Sequence, residues 1–169
     1  MTMLATRRIV VGMDGSPAAA EALKWAVAEA RLGDAVIEVV YAWDPSPIVA
    51  TGLPPLDWSQ LRDAAEEHAR VIVRRAVGED PGVEITTTVA VGRPQEALVE
   101  ASAEADLLVV GSRGGGGLAG IAIGSVGHHC AEHAECPVLV VHHNPLRRRP
   151  AREARPRMRA SAAREVEPV

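Results

Sequence analysis

Five short apolar runs punctuate the chain, and between them the hydrophobic spacing shifts from continuous to helical. The first, Arg8–Met13 (RIVVGM), is apolar on successive positions and rich in β-branched residues. That is the pattern of a parallel strand covered on both faces. It runs into Asp14-Gly15-Ser16-Pro17, where Ser16 suits a helix N-cap and Pro17 the first helical position. Leu23, Val27 and Ala30 then share one stripe until Gly33-Asp34 stops the helix. Val36–Trp43 (VIEVVYAW) reads as a second strand, completing a βαβ unit whose crossover is expected to be right-handed.

Asp44–Asp57 carries four prolines and a glycine, which makes it a loop of the length that often serves binding. Ser59 is the expected start of a second helix, with Leu61, Ala65, His68, Ile72 and Ala76 on its inner face and Gly78 at its end. Val83–Val91 (VEITTTVAV) alternates in part, which points to a strand near an edge. Gly92-Arg93-Pro94 turns the chain into a helix over Gln95–Ala105, and Leu107–Gly111 is the fourth strand. A glycine-rich stretch, Gly111–Ser125, leads to a helix over Val126–Ala134 and a fifth strand, Pro137–Val141. The sequence therefore predicts an α/β fold, a doubly wound five-stranded parallel sheet with helices on both faces, Rossmann-like in architecture. Ligands of such sheets sit beyond the carboxyl ends of the strands, where the winding reverses. Asp14 closes the first strand and Gly111 the fourth, so both face one crevice if those strands are neighbours.

The stretch GSRGGGGLAGIAIGS is where chemistry is expected. Backbone with few side chains brings N–H groups close to a ligand, and a helix start adds unpaired donors and the positive end of its dipole. Together these suit a phosphate. A Walker A loop requires Gly-Lys-Ser/Thr, and the only lysine of the chain is Lys24. The dinucleotide pattern G-x-G-x-x-G can be read at Gly115, Gly117 and Gly120, but it follows the fourth strand and lacks its acidic partner. A third pattern fits directly: Gly111, Gly114 and Gly124-Ser125 form G-x2-G-x9-G-S.

That spacing, with the opening IVVGMDGSPAAAEAL and the close HAECPVLVV, resembles the universal stress protein family of ATP-binding type, over roughly residues 7–143. The resemblance implies an adenine nucleotide alpha hydrolase-like fold. It also implies that Asp14 faces the ribose and a nucleotide-bound Mg2+, with Gly12 just beneath it. Ala42 would offer backbone contacts to adenine. Gly114, Gly124, Ser125 and Val126 would hold the phosphates, while Gly111 keeps the chain close to the nucleotide. Arg113, the loop's one cation, is positioned in sequence to meet a phosphate or to face solvent. Family members pair through their last strand, here Val138–Val141, so a homodimer is implied. The expected job is a small regulator in stress response that binds ATP or another adenine nucleotide, not an enzyme, with at most slow hydrolysis. The alternative left open is a nucleotide-free scaffold of the same fold acting through its dimer edge and its basic tail.

Composition changes this picture at three points. The length of 169 residues allows one domain with a real core, taken as residues 1–143, followed by an Arg/Pro/Ala-rich tail over 144–169 that is too poor in apolar residues to order itself. Residues 1–143 hold 10 Arg/Lys against 19 Asp/Glu, whereas 144–169 hold 8 Arg against 3 Glu. A basic tail on an acidic body makes contact with nucleic acid conceivable, but without aromatic residues for stacking a sequence-specific contact is not expected. No leader or membrane-spanning run is visible, so a cytoplasmic protein is expected. Finally, His128, His129, Cys130, His133 and Cys136 include an i, i+4 histidine pair, but a closed zinc site needs four converging ligands. The resemblance places His133 and Cys136 in an ordinary helix-to-strand turn, and no metal site is expected.

Overall fold

The computed structural model describes residues 6–44, 57–112 and 123–143. Arg113, Gly114, the glycines up to Gly120, Ile121, most of the Asp44–Asp57 loop and the tail lie outside the described residues. Within them the sheet has five parallel strands: β1 (Arg8–Met13), β2 (Val36–Trp43), β3 (Ile85–Val91), β4 (Leu107–Gly111) and β5 (Val138–Val141). Their order is β3-β2-β1-β4-β5, so the winding reverses between β1 and β4 and the two strands are neighbours. The chain is thus doubly wound, with β3 and β5 at the edges.

Helices α1 (Pro17–Gly33) and α2 (Trp58–Val77) cover one face, and α3 (Pro94–Ser102) and α4 (Ser125–His133) the other. Alternation along each strand divides the core accordingly. Ile9, Val11, Ile37, Val39 and Val109 meet Leu23, Ala26 and Val73 on the first face. Val10, Val40, Leu108 and Val110 meet Leu98 and Cys130 on the second. The alanines of α1 (Ala18, Ala19, Ala22, Ala26 and Ala30) are buried and let that helix lie close to the strands. An interior without phenylalanine is filled in this way by short aliphatic chains packed at small separations.

Local chemistry moves several predicted boundaries. Helix α2 begins at Trp58, not Ser59, because Asp57 is its N-cap: the Asp57 carboxylate accepts from the Ser59 N–H at 2.9 Å and from the Ser59 hydroxyl at 2.6 Å. Those bonds, the hydroxyl's first, hold the Asp57 pKa below the ordinary carboxylate value. Its inner face is Ala65, Ala69 and Val73, with Ile72 and Ala76 partly buried. His68 is exposed and meets the edge of Tyr41 at 5.8 Å. At the end of α1 it is Asp34, not Gly33, that takes the left-handed conformation, its N–H reaching the Ala30 carbonyl. Strand β3 starts at Ile85 rather than Val83, after a turn in which the Asp80 carboxylate accepts from the Gly82 N–H. Helix α3 stops at Ser102 rather than Ala105. There the Ser102 hydroxyl donates to the Val99 carbonyl at 2.6 Å and accepts the Glu135 N–H at 2.9 Å, tying α3 to the turn before β5.

The amino ends of the strands are held by Arg8. Its guanidinium pairs with Glu38 on β2 and with Glu104 beyond α3. Its N–H donates to the Asp106 carboxylate at 2.7 Å, and its carbonyl accepts the Asp106 N–H at 2.8 Å. Thr88 adds a bond to Glu38 from β3 at 2.8 Å. Glu38, and then Glu104, hold the Arg8 pKa above its ordinary value against the burial that opposes it.

Candidate functional site

The carboxyl ends of β1, β2 and β4 surround a cleft of about 360 Å³ on the α3/α4 face. It brings together Gly12, Asp14, Ala42, Gly111, Gly124, Ser125 and Val126, that is, every described residue singled out from the sequence as a ligand contact. Arg113 and Gly114 lie outside the described residues.

The cleft has two chemically different ends. One is the start of α4, whose N-cap is Gly124 in an extended conformation (φ −72°, ψ 167°). Gly124 is positioned by donating its N–H to the Ser112 carbonyl at 2.6 Å, while the Ser112 N–H donates to Val141 at 2.8 Å, so β5 and the helix start are fixed together. Glycine has no side chain to accept from the first turn, and α4 has no side-chain cap. The amides of Ser125, Val126 and Gly127 therefore present donors and the positive end of the helix dipole at the cleft wall. Helix α3, which reaches the cleft through Pro94, also starts without a side-chain cap, whereas α1 is capped by Ser16 and α2 by Asp57. Only α4 offers free amides there, since α3 begins with Pro94, which has no N–H, and carries Glu96 in its first turn; the α4 start is the arrangement suited to an anion.

The other end is apolar, formed by Val40, Ala42, Pro94, Leu98 and Val110. Sequence reading reached Ala42 but passed over the rest, since an apolar residue in a strand or helix carries no mark distinguishing core from cleft wall. On the rim Asp14 is exposed, and its Oδ1 accepts the Ser16 N–H at 2.9 Å. The site thus offers an apolar floor, a carboxylate at the rim and a bank of amide donors.

Two glycines take roles the sequence did not reveal. The Cβ that Gly111 lacks would stand 2.8 Å from the Ala18 carbonyl carbon and 2.8 Å from the Ala19 nitrogen. Its bareness therefore serves the packing of α1 on the far face, although its backbone lines the cleft. A Cβ on Gly12 would meet Leu98 Cδ1 at 3.0 Å, so the leucine occupies the space above that strand. Ile123, just before the start of α4, is 39% exposed, and its Cγ2 lies 3.1 Å from where a Cβ on Gly127 would be.

His128, His129, Cys130 and His133 lie on α4 and Cys136 in the turn before β5, and none of them lines the cleft. His129 and His133 stack with ring centroids 4.2 Å apart, and His133 Nδ1 lies 3.0 Å from the His129 carbonyl oxygen. Among the described residues no three His, Cys, Asp or Glu side chains converge as metal ligands. Cys130 and Cys136 are both free thiols. Cys130 is fully buried, and desolvation pushes its pKa up to about 11; burial raises Cys136 as well. Only thiolate reacts readily. Iodoacetamide at pH 8 is thus expected to label Cys136 at least about tenfold faster than Cys130 in the folded chain, and both alike in denaturant. Tandem mass spectrometry of the peptide carrying both residues reads this; equal native rates would contradict the burial of Cys130.

Residues 5–142 match the family model described as the universal stress protein family. A universal stress protein of Mycobacterium tuberculosis strain H37Rv is 38% identical over 135 residues, which cover 78% of this chain and 44% of that protein. Another, from Methanocaldococcus jannaschii, is 36% identical over 140 residues, covering 80% of this chain and 81% of that one. The chain thus spans less than half the length of the mycobacterial relative. Among solved structures, a universal stress protein in complex with cAMP is similar with a TM-score of 0.58 and 33% identity, over 82% of this chain and 98% of that one. No described helix is long and apolar enough to cross a membrane.

Proposed function

The chain belongs to the universal stress protein family, and on that premise we propose that it is a small regulator in stress response that binds an adenine nucleotide in the cleft at the carboxyl ends of β1, β2 and β4. The observation that carries this reading is the pairing of a glycine-capped helix start with an apolar floor. The α4 amides donate to the phosphates, together with Gly114 and Arg113 of the glycine-rich stretch. The base lies on Val40, Ala42 and Leu98, with the backbone at Ala42 contacting adenine, and Asp14 faces the ribose. A relative of 33% identity solved with cAMP supports an adenine nucleotide as the ligand class.

ATP with Mg2+ is the first form to test. Mg2+ usually keeps several waters and takes one or two carboxylates besides phosphate oxygens. The cleft fits that need with Asp14 at its rim, and the ion would supply charge neutralisation of the phosphates. Turnover is slow or nil. The sole lysine, Lys24, is paired with Glu21 on the outside of α1, and no described residue at the cleft resembles the phosphate-binding lysine of fast phosphoryl-transfer sites. The protein works in the cytoplasm as a homodimer joined through β5, an edge strand whose outer side is a ladder that a second copy can extend.

Native mass spectrometry of the freshly purified chain reads both parts at once. The expected species is a dimer carrying one adenine nucleotide per chain, retained on dilution. A chain that holds no nucleotide even after ATP and Mg2+ are added would leave only a scaffold.

A further inference from the structure

Two imidazoles on α4 take no part in the cleft. His129 and His133 stand one turn apart, and their rings lie side by side with centroids 4.2 Å apart and planes 16° from parallel. The Nδ1 of His133 lies 3.0 Å from the His129 carbonyl oxygen. A carbonyl only accepts, so that nitrogen carries the proton, and Nε2 of the neutral ring keeps its lone pair. Metal-bound histidines have this same support: a backbone carbonyl on one ring nitrogen fixes the tautomer and the orientation of the ring. His133 is exposed and His129 half-buried, and neither lines the cleft, so an ion reaches the pair from solvent.

The spacing fits as well. Two histidines at i and i+4 on one helix face share a zinc ion in the metallopeptidase motifs, and His129 to His133 reads H-x-x-E-H, one of those patterns. Nitrogens each about 2.0–2.1 Å from one ion stand about 3.0–3.4 Å apart, which rings with centroids 4.2 Å apart reach by tilting their edges together. The neighbouring groups are engaged elsewhere. Glu132 lies 3.6 Å from His128, Cys130 is buried, and the Cys136 thiol donates to the Pro137 carbonyl at 3.6 Å. Among the described residues no third ligand converges. What the helix offers is half of a coordination shell, open to water, and not the closed four-ligand shell of a structural zinc.

We propose that His129 and His133 form an open, two-imidazole site for a borderline divalent transition ion, the class of Ni2+, Cu2+ and Zn2+. Imidazole suits these ions, whereas Mg2+ and Ca2+ take oxygen ligands. The ion exchanges two of its waters for the two ring nitrogens, and no bond of the protein breaks. The site is separate from the start of the same helix, since His133 stands about 12 Å along α4 from Ser125.

The test is titration of the whole chain with Ni2+, followed by calorimetry and by the broadening of isotope-labelled amide signals near the paramagnetic ion. One Ni2+ per chain is expected to bind most tightly, and the amides of residues 129–133 to broaden before those of His142 and His143. His129→Ala and His133→Ala are each expected to weaken that binding at least about tenfold, since losing even an outer partner of a metal ligand costs that much. His128→Ala and Cys136→Ser are expected to bind as the native chain does, and excess Mg2+ not to displace the ion. Thermal unfolding verifies that each variant is folded, and His129→Gln or His133→Gln replaces an alanine variant that is not. Binding that survives in both folded variants, that is lost as much in His128→Ala or Cys136→Ser, or that broadens His142 and His143 first overturns the proposal. A native chain that binds no Ni2+ overturns it too, and none of these results bears on the nucleotide.

Discussion

Gly111→Val is expected to leave the chain unable to fold, and Gly111→Ala to lower its melting temperature by about 4–10 °C. The reason is a contact with main chain, not with a side chain that can swing aside. An added Cβ would stand 2.8 Å from both the Ala18 carbonyl carbon and the Ala19 nitrogen, and 3.0 Å from Ala18 Cβ. Ala18 and Ala19 are buried in the first turn of α1, so relief requires the helix to retreat from β4. That opens gaps beneath Ala22, Leu23 and Ala26, which pack in the same cluster as Val109. Overpacking costs about 1–3 kcal/mol per site, occasionally more, and a domain this size shifts about 2–4 °C per kcal/mol. Valine adds two methyl groups to the same collision, against a total stability of about 5–15 kcal/mol. Gly12→Ala is the informative comparison, since its Cβ meets only the far end of Leu98 and Val110. Urea denaturation of the three variants checks this, and a Gly111→Ala protein as stable as the native chain would refute the contact.

Gly124→Asp is expected to move stability and ligand affinity in opposite directions. The position has an extended backbone that any residue adopts, so the substitution introduces no backbone strain. Aspartate is a favoured N-cap: its carboxylate accepts from the second or third amide of the helix, here Val126 or Gly127. It also places negative charge at the positive end of the α4 dipole, for a combined gain of about 0.5–1 kcal/mol. Those same amides are the donors assigned to phosphate, so the carboxylate occupies their bonds and repels the ligand's charge. Losing two charge-assisted hydrogen bonds of about 1.5–3 kcal/mol each corresponds to at least about a hundredfold loss of affinity. Calorimetric unfolding and titration with ATP and Mg2+ read the two quantities on one sample. A variant that is more stable and still binds ATP as tightly as the native chain would mean that the α4 start does not hold the phosphates.

The parallel fold and the side of the sheet that carries the cleft were legible because both rest on patterns along the chain. Continuous apolar runs marked β1, β2 and β4 to the residue, and Asp14 and Gly111 at their ends do meet at one crevice. The spacing from Gly111 to Ser125 marked the start of α4 to within one residue, at Ser125 where Val126 was expected. What could not be read depended on contacts between distant segments. The early end of α3 follows from Ser102 binding the Glu135 N–H, 33 residues away. The face of α2 follows from the burial of Ala65, Ala69 and Val73, which leaves His68 exposed with its ring centroid 5.8 Å from that of Tyr41. Gly111 was read as a ligand glycine because it sits in a glycine-rich motif, while the atoms that forbid its side chain belong to α1. Leu98, Val40 and Pro94 carry no local signal at all, since a cleft wall and a core are made of the same residues.

The Arg8 network at the opposite end of the sheet has a consequence for how this chain can vary. Its guanidinium and backbone join β1 to β2, to the segment beyond α3 and to the start of β4, all on the side away from the cleft. Alignment of the strands is thereby secured at one rim, and the other rim is released from that duty. Insertions and exchanges among the connections that follow each strand can then accumulate without loosening the sheet. One scaffold so divided can be refitted for a different small molecule by changing a handful of positions, all of them at the rim that Arg8 does not hold.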